Sequence, residues 1–332
     1  MKIVVLAGGL STERDVSLAS SKAVEQALRN KGYKARVLDI YLGTDNYDNF
    51  FDETEKEENI INKKIPDLSK LKKIKNTDGY FGKNVLKICK EADLVFNMIH
   101  GEVGENGKLQ AAFDLLNIKY TGTKYLGAAI SMNKDIAKLL VKKHNILTPA
   151  SQIITHKKDK PFIFYPVVVK PNDGGSSIGV SIVTNDKEYK KAVKEALKYN
   201  DEVLVEEYIK GREFSVGILK DKALPVIEII PKVGFFDYEN KYQKDKTEEI
   251  CPANLNEKQT KEVQDIALSI FNILKLKTYA RIDFILDEKN KFYFLEANTT
   301  PGMSKASLFP KEAKALNISF EDLCEIIALD AL

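Results

Sequence analysis

The chain has 332 residues, 44% hydrophobic and 30% charged, which is ordinary globular material with room for two or three cores. A net charge of +3 is too small to argue for nucleic acid, and no apolar run is long enough to span a bilayer. Cys89, Cys251 and Cys324 stand far apart with no C-x-x-C spacing, so neither a disulfide framework nor a cysteine metal site is expected, and a reducing, cytoplasmic setting fits.

The elements run in chain order as follows. Ile3 to Ala7 reads as a buried strand entering Gly8-Gly9; it is too short and too early for a signal peptide. Asp15 to Lys31 is a helix with Val16, Ala19, Ala23 and Leu28 on its apolar side and Gly32 as its stop. Lys34 to Ile40 is a second strand. Gly43 to Gly79 is polar and charged and reads as a solvated insertion, its lysines offset by the acidic run Asp52 to Glu58. Leu94 to Ile99 is a third strand, followed by the loop His100 to Gly107 and a helix from Leu109 to Leu116. This alternation predicts a parallel sheet flanked by helices.

After Tyr120 the pattern changes. Helices are expected near Tyr125 to Ser131, Lys134 to His144 and Lys187 to Tyr199. Strands are expected at Val167 to Lys170, Val180 to Val183, Val203 to Glu206, Glu213 to Leu219 and Val226 to Ile230. Pro231 to Cys251 reads as a long aromatic, charged loop. Val263, Ile266, Ala267, Ile270, Phe271 and Leu274 recur at helical spacing. Ala280 to Met303 reads as two strands joined by a polar turn at Asp287 to Lys291, and a last helix carries Phe320, Leu323, Ile326 and Ile327. There are no internal repeats.

Five segments carry candidate chemistry. In the hairpin, Arg281 and Asp283 share one face of a strand, and Glu296 and Asn298 share one face of the return strand. If those faces coincide, two carboxylates, an amide and a guanidinium converge. Paired acids disfavour one another without a cation, and hard oxygen donors suit Mg²⁺. The same pattern also fits the solvent face of a hairpin. Pro171 to Gly179, with Lys170 at its mouth, is a Gly/Ser loop able to close over phosphates, or a plain turn; the P-loop spacing is absent. Glu13 stands at a helix entrance at the carboxyl end of a strand, where ligands of open α/β sheets bind and where an acid also favours the helix dipole. His100 is the one histidine beside glycines; His144 and His156 read as surface residues. Between Glu206 and Glu213, acids beside exposed backbone suit an adenine amino group and a ribose hydroxyl, or form a polar connection. The lone Gly8-Gly9 is a weak dinucleotide signal.

In this order, the motifs around Gly8–Ser17, His100–Gln110, Tyr120–Gly122, Met132–Lys134, Val169–Pro171, Gly175–Gly179, Asp237–Tyr242, Cys251–Ala253, Arg281–Asp283 and Glu296–Met303 resemble the D-alanine–D-alanine ligases of the ATP-grasp superfamily. The resemblance spans the chain except for about Gly43 to Gly79. It implies an ATP-grasp fold: an N-terminal parallel α/β (Rossmann-like) domain over residues 1–122, then two α+β domains, 123–204 and 205–332, clamping ATP. It implies joining of two D-alanines through an acyl phosphate, for peptidoglycan and hence cell-wall biogenesis and cell shape. ATP and Mg²⁺ (or Mn²⁺) are the expected cofactors, with no nucleic acid or membrane partner, and a homodimer is expected.

By the same resemblance, Asp283, Glu296 and Asn298 hold the metal. Lys134, Lys170, Ser176, Ser177, Glu206, Glu207, Ile209, Glu213 and Lys241 hold ATP. Glu13 with His100 binds the first substrate, and Ser307 and Leu308 bind the second. Arg281 and Gly302 form an oxyanion hole. Glu13, Ser176 and Tyr242 form a trio that pins the long loop. The Gly43 to Gly79 segment is longer than in compact members, and the loop before Tyr165 is shorter. Tyr242 favours D-alanine over D-lactate as acceptor. A D-lactate or D-serine ligase, a non-catalytic nucleotide-binding module and a dinucleotide-dependent oxidoreductase are the competing readings.

Overall fold

A computed structural model of the chain describes residues 1–52, 66–157, 159–161, 164–231 and 247–332. Part of the Gly43 to Gly79 segment, and Lys241 and Tyr242, lie outside the described residues.

Among the described residues, three sheets organise the fold. The first is parallel, ordered β2 (Lys34–Asp39), β1 (Lys2–Ala7), β3 (Leu94–Asn97). Its central strand is covered on both faces, which explains its uninterrupted apolar run. Ile3 and Val5 face α1 (Arg14–Asn30) and a C-terminal helix. Val4 and Leu6 face α2 (Val85–Glu91) and, past the short α3 (Glu102–Glu105), α4 (Lys108–Leu115). The expected helix is present in α1, but Ala19 and Ala23 are only half-buried, and Ser17, Ser20 and Ser21 are buried instead. Helical serines can bond backbone carbonyls, so they sit inside without orphaned polar atoms. Ser17 Oγ donates to the Met98 carbonyl and accepts from the Gly8 N–H, tying the loop after β1 to the end of β3.

Two helices follow, α5 (Tyr125–Met132) and α6 (Lys134–Lys143). The second sheet is antiparallel, ordered β4 (Ser151–Ile154), β7 (Val203–Glu207), β5 (Val167–Pro171), β6 (Ser181–Val183), and is covered by α7 (Asp186–Ala196). The third joins β8 (Gly211–Leu219), β9 (Lys222–Ala223), β10 (Ile227–Pro231), β11 (Thr247–Ile250), β12 (Tyr279–Asp287) and β13 (Phe292–Asn298). The amphipathic helix expected around Val263 is α8 (Glu257–Ile273), and it packs on this sheet together with α6. Ala137 and Val141 of α6 thus belong to the third core, although they precede the second sheet in the chain.

The expected loop Pro231 to Cys251 is corrected at one end: Thr247–Ile250 is a strand paired with β10. Its sequence, Thr-Glu-Glu-Ile, lacks an apolar alternation because it is an edge strand. Last come α9 (Leu308–Ala315), which begins at Ser307 as N-cap, and α10 (Phe320–Leu329). Leu323 and Ile327 of α10 return to the first sheet, and Lys31 pairs with Asp322 and Glu325 there.

Candidate active site

The hairpin faces coincide. In the antiparallel register Arg281 is opposite Asn298 and Asp283 is opposite Glu296. Arg281 forks onto both Asp283 oxygens, at 3.0 and 2.9 Å. Asn298 Nδ2 donates to Asp283 Oδ2 at 3.0 Å, and Ser215 Oγ of β8 donates to Oδ1 at 2.8 Å. These donors hold a buried carboxylate in one orientation. Burial opposes the Arg281 charge, but Asp283 beside it more than compensates and its pKa is raised.

Two cavities adjoin this hairpin. One, of about 230 Å³, is lined by Glu13, His100, Ser176, Arg281, Gly302 and Ser307, with Leu308 and Asn298 also on its wall. The other, of about 420 Å³, is lined by Lys170, Ser177, Glu206, Glu213 and Asp283, with Glu207 and Ile209 on its rim. Lys134, Gly174, Gly175 and Glu296 border both. Every described residue expected in the site therefore faces one cavity or the other. The split runs along the hairpin and not across it: Arg281 and Asn298 reach the smaller cavity, and Asp283, two residues on and on the same face, reaches the larger.

Glu13 occupies the N-cap position of α1 but makes no capping bond. Its Oε1 accepts from Ser176 Oγ of the Gly/Ser loop, and its side chain lines the smaller cavity. The loop lies between the two cavities, with Gly174 and Gly175 bordering both, and reaches Glu13 beside the first sheet. Ser176 and Ser177 hold φ of 50° and 56°, a left-handed conformation that costs energy in a non-glycine residue. A Cβ at Gly175 would stand 2.5 Å from Glu13 Oε2, so only glycine allows this approach. Gly8 is constrained likewise: at φ +77° a Cβ would meet Asp39 Oδ2 at 2.3 Å. Asp39 also pairs with Arg14, whose guanidinium donates to the Gly9 carbonyl.

His100 is buried, and its Nδ1 lies 2.9 Å from the Thr300 carbonyl, so that nitrogen carries the hydrogen. Its Nε2 has no hydrogen-bond partner among the described residues. Burial pushes its pKa below the usual 6.5 and leaves the ring neutral, with an acceptor turned inward. Glu105, which sequence reasoning quoted inside a motif without giving it a role, accepts from the Gly101 and Thr300 N–H groups at 2.7 and 3.0 Å. It clamps the loop after β3 to the loop after β13. Burial pushes its carboxyl up to about 7.

On the other side, Lys134 Nζ donates to the Gly174 carbonyl at 2.6 Å and lies 3.5 Å from Glu296 Oε2. Lys170 Nζ lies 2.6 Å from Glu206 Oε1. Ser307 Oγ bonds Ser304 Oγ at 2.8 Å and accepts from the Ser304 N–H. A Cβ at Gly302 would stand 3.0 Å from Ser307 Oγ, which keeps the Gly302 backbone open to the cavity.

Asp283, Glu296 and Asn298 supply only hard oxygen donors. Among the described residues no group of three His, Cys, Asp or Glu side chains stands together. Two carboxylates and an amide fit a Mg²⁺ whose remaining ligands are phosphate oxygens and water, not a closed protein cage.

A Gly/Ser loop set between two cavities, the larger lined by lysines and acids, matches the ATP-grasp ligases. The family models described as "D-ala D-ala ligase N-terminus" and "D-ala D-ala ligase C-terminus" match residues 2–123 and 137–328. The D-alanine–D-alanine ligase of Pediococcus pentosaceus is 43% identical over 99% of this chain and 97% of its own length. That of Aquifex aeolicus is 38% identical over 98% and 99%. The Bacillus anthracis D-alanine–D-alanine ligase complexed with ATP superposes with TM-score 0.77 at 28% identity, covering 100% of this chain and 96% of that one. The VanG D-Ala:D-Ser ligase of Enterococcus faecalis gives TM-score 0.75 at 26% identity, covering 98% of both. The chain belongs to the D-alanine–D-alanine ligase family and is an ATP-dependent ligase of cell-wall precursor synthesis.

Proposed function

We propose that the two cavities divide the reaction between them. The larger takes ATP, with Glu206, Glu207, Ile209 and Glu213 at the adenosine and Lys134, Lys170 and Ser177 at the phosphates, while Ser176 meets the terminal phosphate from the smaller cavity's side. The smaller takes both D-alanines. The observation that carries this reading is the shared wall: Lys134, Glu296 and the loop glycines Gly174 and Gly175 border both spaces, where a phosphoryl group would cross.

Glu13 anchors the ammonium of the first D-alanine, and neutral His100 accepts beside it. The carboxylate of that substrate attacks the γ-phosphorus, ADP leaves, and an acyl phosphate forms. Lys134 and Lys170 place positive charge where the transferring oxygens concentrate negative charge. Mg²⁺ (or Mn²⁺), held by Asp283, Glu296 and Asn298, supplies further neutralisation of the phosphates when bound. Ser307 and the Leu308 N–H at the start of α9 hold the carboxylate of the second D-alanine. Its amine attacks the acyl carbon, Arg281 and the Gly302 N–H face the tetrahedral oxyanion, and phosphate leaves. Ser176 on Glu13 holds the Gly/Ser loop closed over the acyl phosphate and excludes water.

Lys241 and Tyr242 complete this proposal from the family resemblance alone: Lys241 at ATP, and Tyr242 as the third member of the trio with Glu13 and Ser176. D-alanine as the acceptor, a homodimer and a cytoplasmic location belong to it too; no helix among the described residues is long and apolar enough to cross a membrane. The decisive experiment offers D-alanine, D-serine and D-lactate as acceptors with ATP and Mg²⁺. Phosphate release should be fastest with D-alanine alone. Faster turnover with a D-alanine/D-serine or D-alanine/D-lactate mixture would replace the acceptor assignment.

A further inference from the structure

Lys138 lies on α6, one turn after Lys134, and borders neither cavity. It is 2% exposed, an uncommon place for a lysine. Its Nζ donates to Thr148 Oγ1 at 2.8 Å, and Thr148 Oγ1 donates to the Phe294 carbonyl of β13 at 3.0 Å. The same Nζ lies 2.9 Å from Glu206 Oε2. Glu206 is itself 3% exposed and lines the larger cavity. One buried carboxylate thus stands between two ammonium groups, Lys138 and Lys170.

The two lysines are not equivalent. Lys170 lines the cavity, and Lys138 does not. Under the nucleotide reading, phosphates draw on Lys170, and Glu206 then depends on Lys138 for its charge. A buried carboxylate without a counterion takes up a proton, and its protonated oxygen no longer accepts from a donor on the base. Glu206 Oε2 lies 2.9 Å from Lys138 and Oε1 lies 2.6 Å from Lys170, so once Lys170 turns to phosphate, Oε1 is the oxygen left to accept from the base. Burial alone would raise the Glu206 pKa; Lys138 and Lys170 overcome this and hold it below the usual carboxylate value. Burial pushes Lys138 down to about 8, with Glu206 opposing, so the ammonium persists at neutral pH.

We propose that Lys138 is a positioning residue for base selection: it keeps the Glu206 carboxylate ionised and oriented to accept from the exocyclic amino group of adenine. The proposal rests on the larger cavity being the nucleotide site. It separates two purine nucleotides by one group, because inosine triphosphate carries a carbonyl where ATP carries the amino donor. A site built to bond a donor rejects the analogue lacking it.

The test measures kcat and KM for ATP and for inosine triphosphate, with D-alanine saturating, in the parent, Lys138→Met and Lys138→Arg. The expected result for Lys138→Met is an ATP KM raised about tenfold or more, with an ATP-over-inosine preference reduced to about threefold or less. Its kcat at saturating ATP should change much less, and Lys138→Arg should recover most of the preference. An unchanged ATP KM and preference in folded Lys138→Met would leave only a structural role and overturn the proposal. So would a loss of kcat at unchanged KM. If Lys138→Met does not fold, Thr148→Val serves: removing the lysine's other partner should lower the preference in the same direction, and no change would overturn the proposal. A parent that uses ATP without preferring it over inosine triphosphate overturns this inference alone. A parent without ATP-dependent turnover overturns the nucleotide reading as well.

Discussion

Glu296 stands where the two cavities meet, 3.5 Å from Lys134 and opposite Asp283 across the hairpin. Glu296→Gln should lower kcat by about a hundredfold or more, because one charged ligand to the metal is lost. Its far-ultraviolet spectrum and melting temperature should stay close to those of the parent, since the apolar face of the hairpin is untouched. Near-normal turnover in a D-alanine-dependent phosphate assay would contradict the metal assignment. Glu105 gives a pH prediction. Its carboxyl rises from 4.5 to about 7 on burial, so between those values the folded state binds this proton and the unfolded chain does not. The stability it contributes is then lost as pH rises through that window. Glu105→Gln removes the titration, so its melting temperature relative to the parent should rise from pH 4.5 to about pH 7. A pH-independent difference would refute the shift. At this scale the sequence was informative where chemistry depends on residue type at fixed spacing, as in Asp283, Glu296 and Asn298. It was silent on Glu105 and Lys138, whose importance comes from partners 195 and 68 residues away, Thr300 and Glu206.

At the scale of elements, helix starts and buried strands followed their patterns closely. The helix α8 opens with a capping box, Asn256 accepting from the Gln259 N–H and Gln259 accepting in return. Asn256→Ala should cost about 1 kcal/mol, read as a lower urea midpoint with an unchanged slope. Catalysis should be unaffected; an unchanged midpoint would show that the box is idle. The strands β4 and β11 and the helix α9 were not legible. The first two are edge strands that need no strong apolar alternation, and α9 is short and begins inside a loop that reads as substrate-binding. The buried face of α1 lacks apolar periodicity because Ser17 and Ser21 lie there with their hydroxyls on backbone carbonyls.

At the scale of the molecule, three sheets meet at one place through a few contacts. Ser176 from the second sheet reaches Glu13 beside the first, Glu105 reaches Thr300 after the third, and α10 returns to the first sheet. Strand–helix alternation predicted the parallel sheet, but such long-range closures leave no local trace. Packing α6 against the third sheet is another example. If the Ser176 contact keeps water out, Ser176→Ala should release phosphate in excess of dipeptide, whereas the parent should give about one phosphate per dipeptide. Strict coupling in Ser176→Ala would remove the closing role. The acyl phosphate itself is tested most directly by isotope. D-alanine labelled with ¹⁸O in its carboxylate should pass label into the released phosphate as D-alanyl-D-alanine forms, because the carboxylate oxygen that attacks phosphorus leaves with it. Dipeptide formation with unlabelled phosphate would contradict the account.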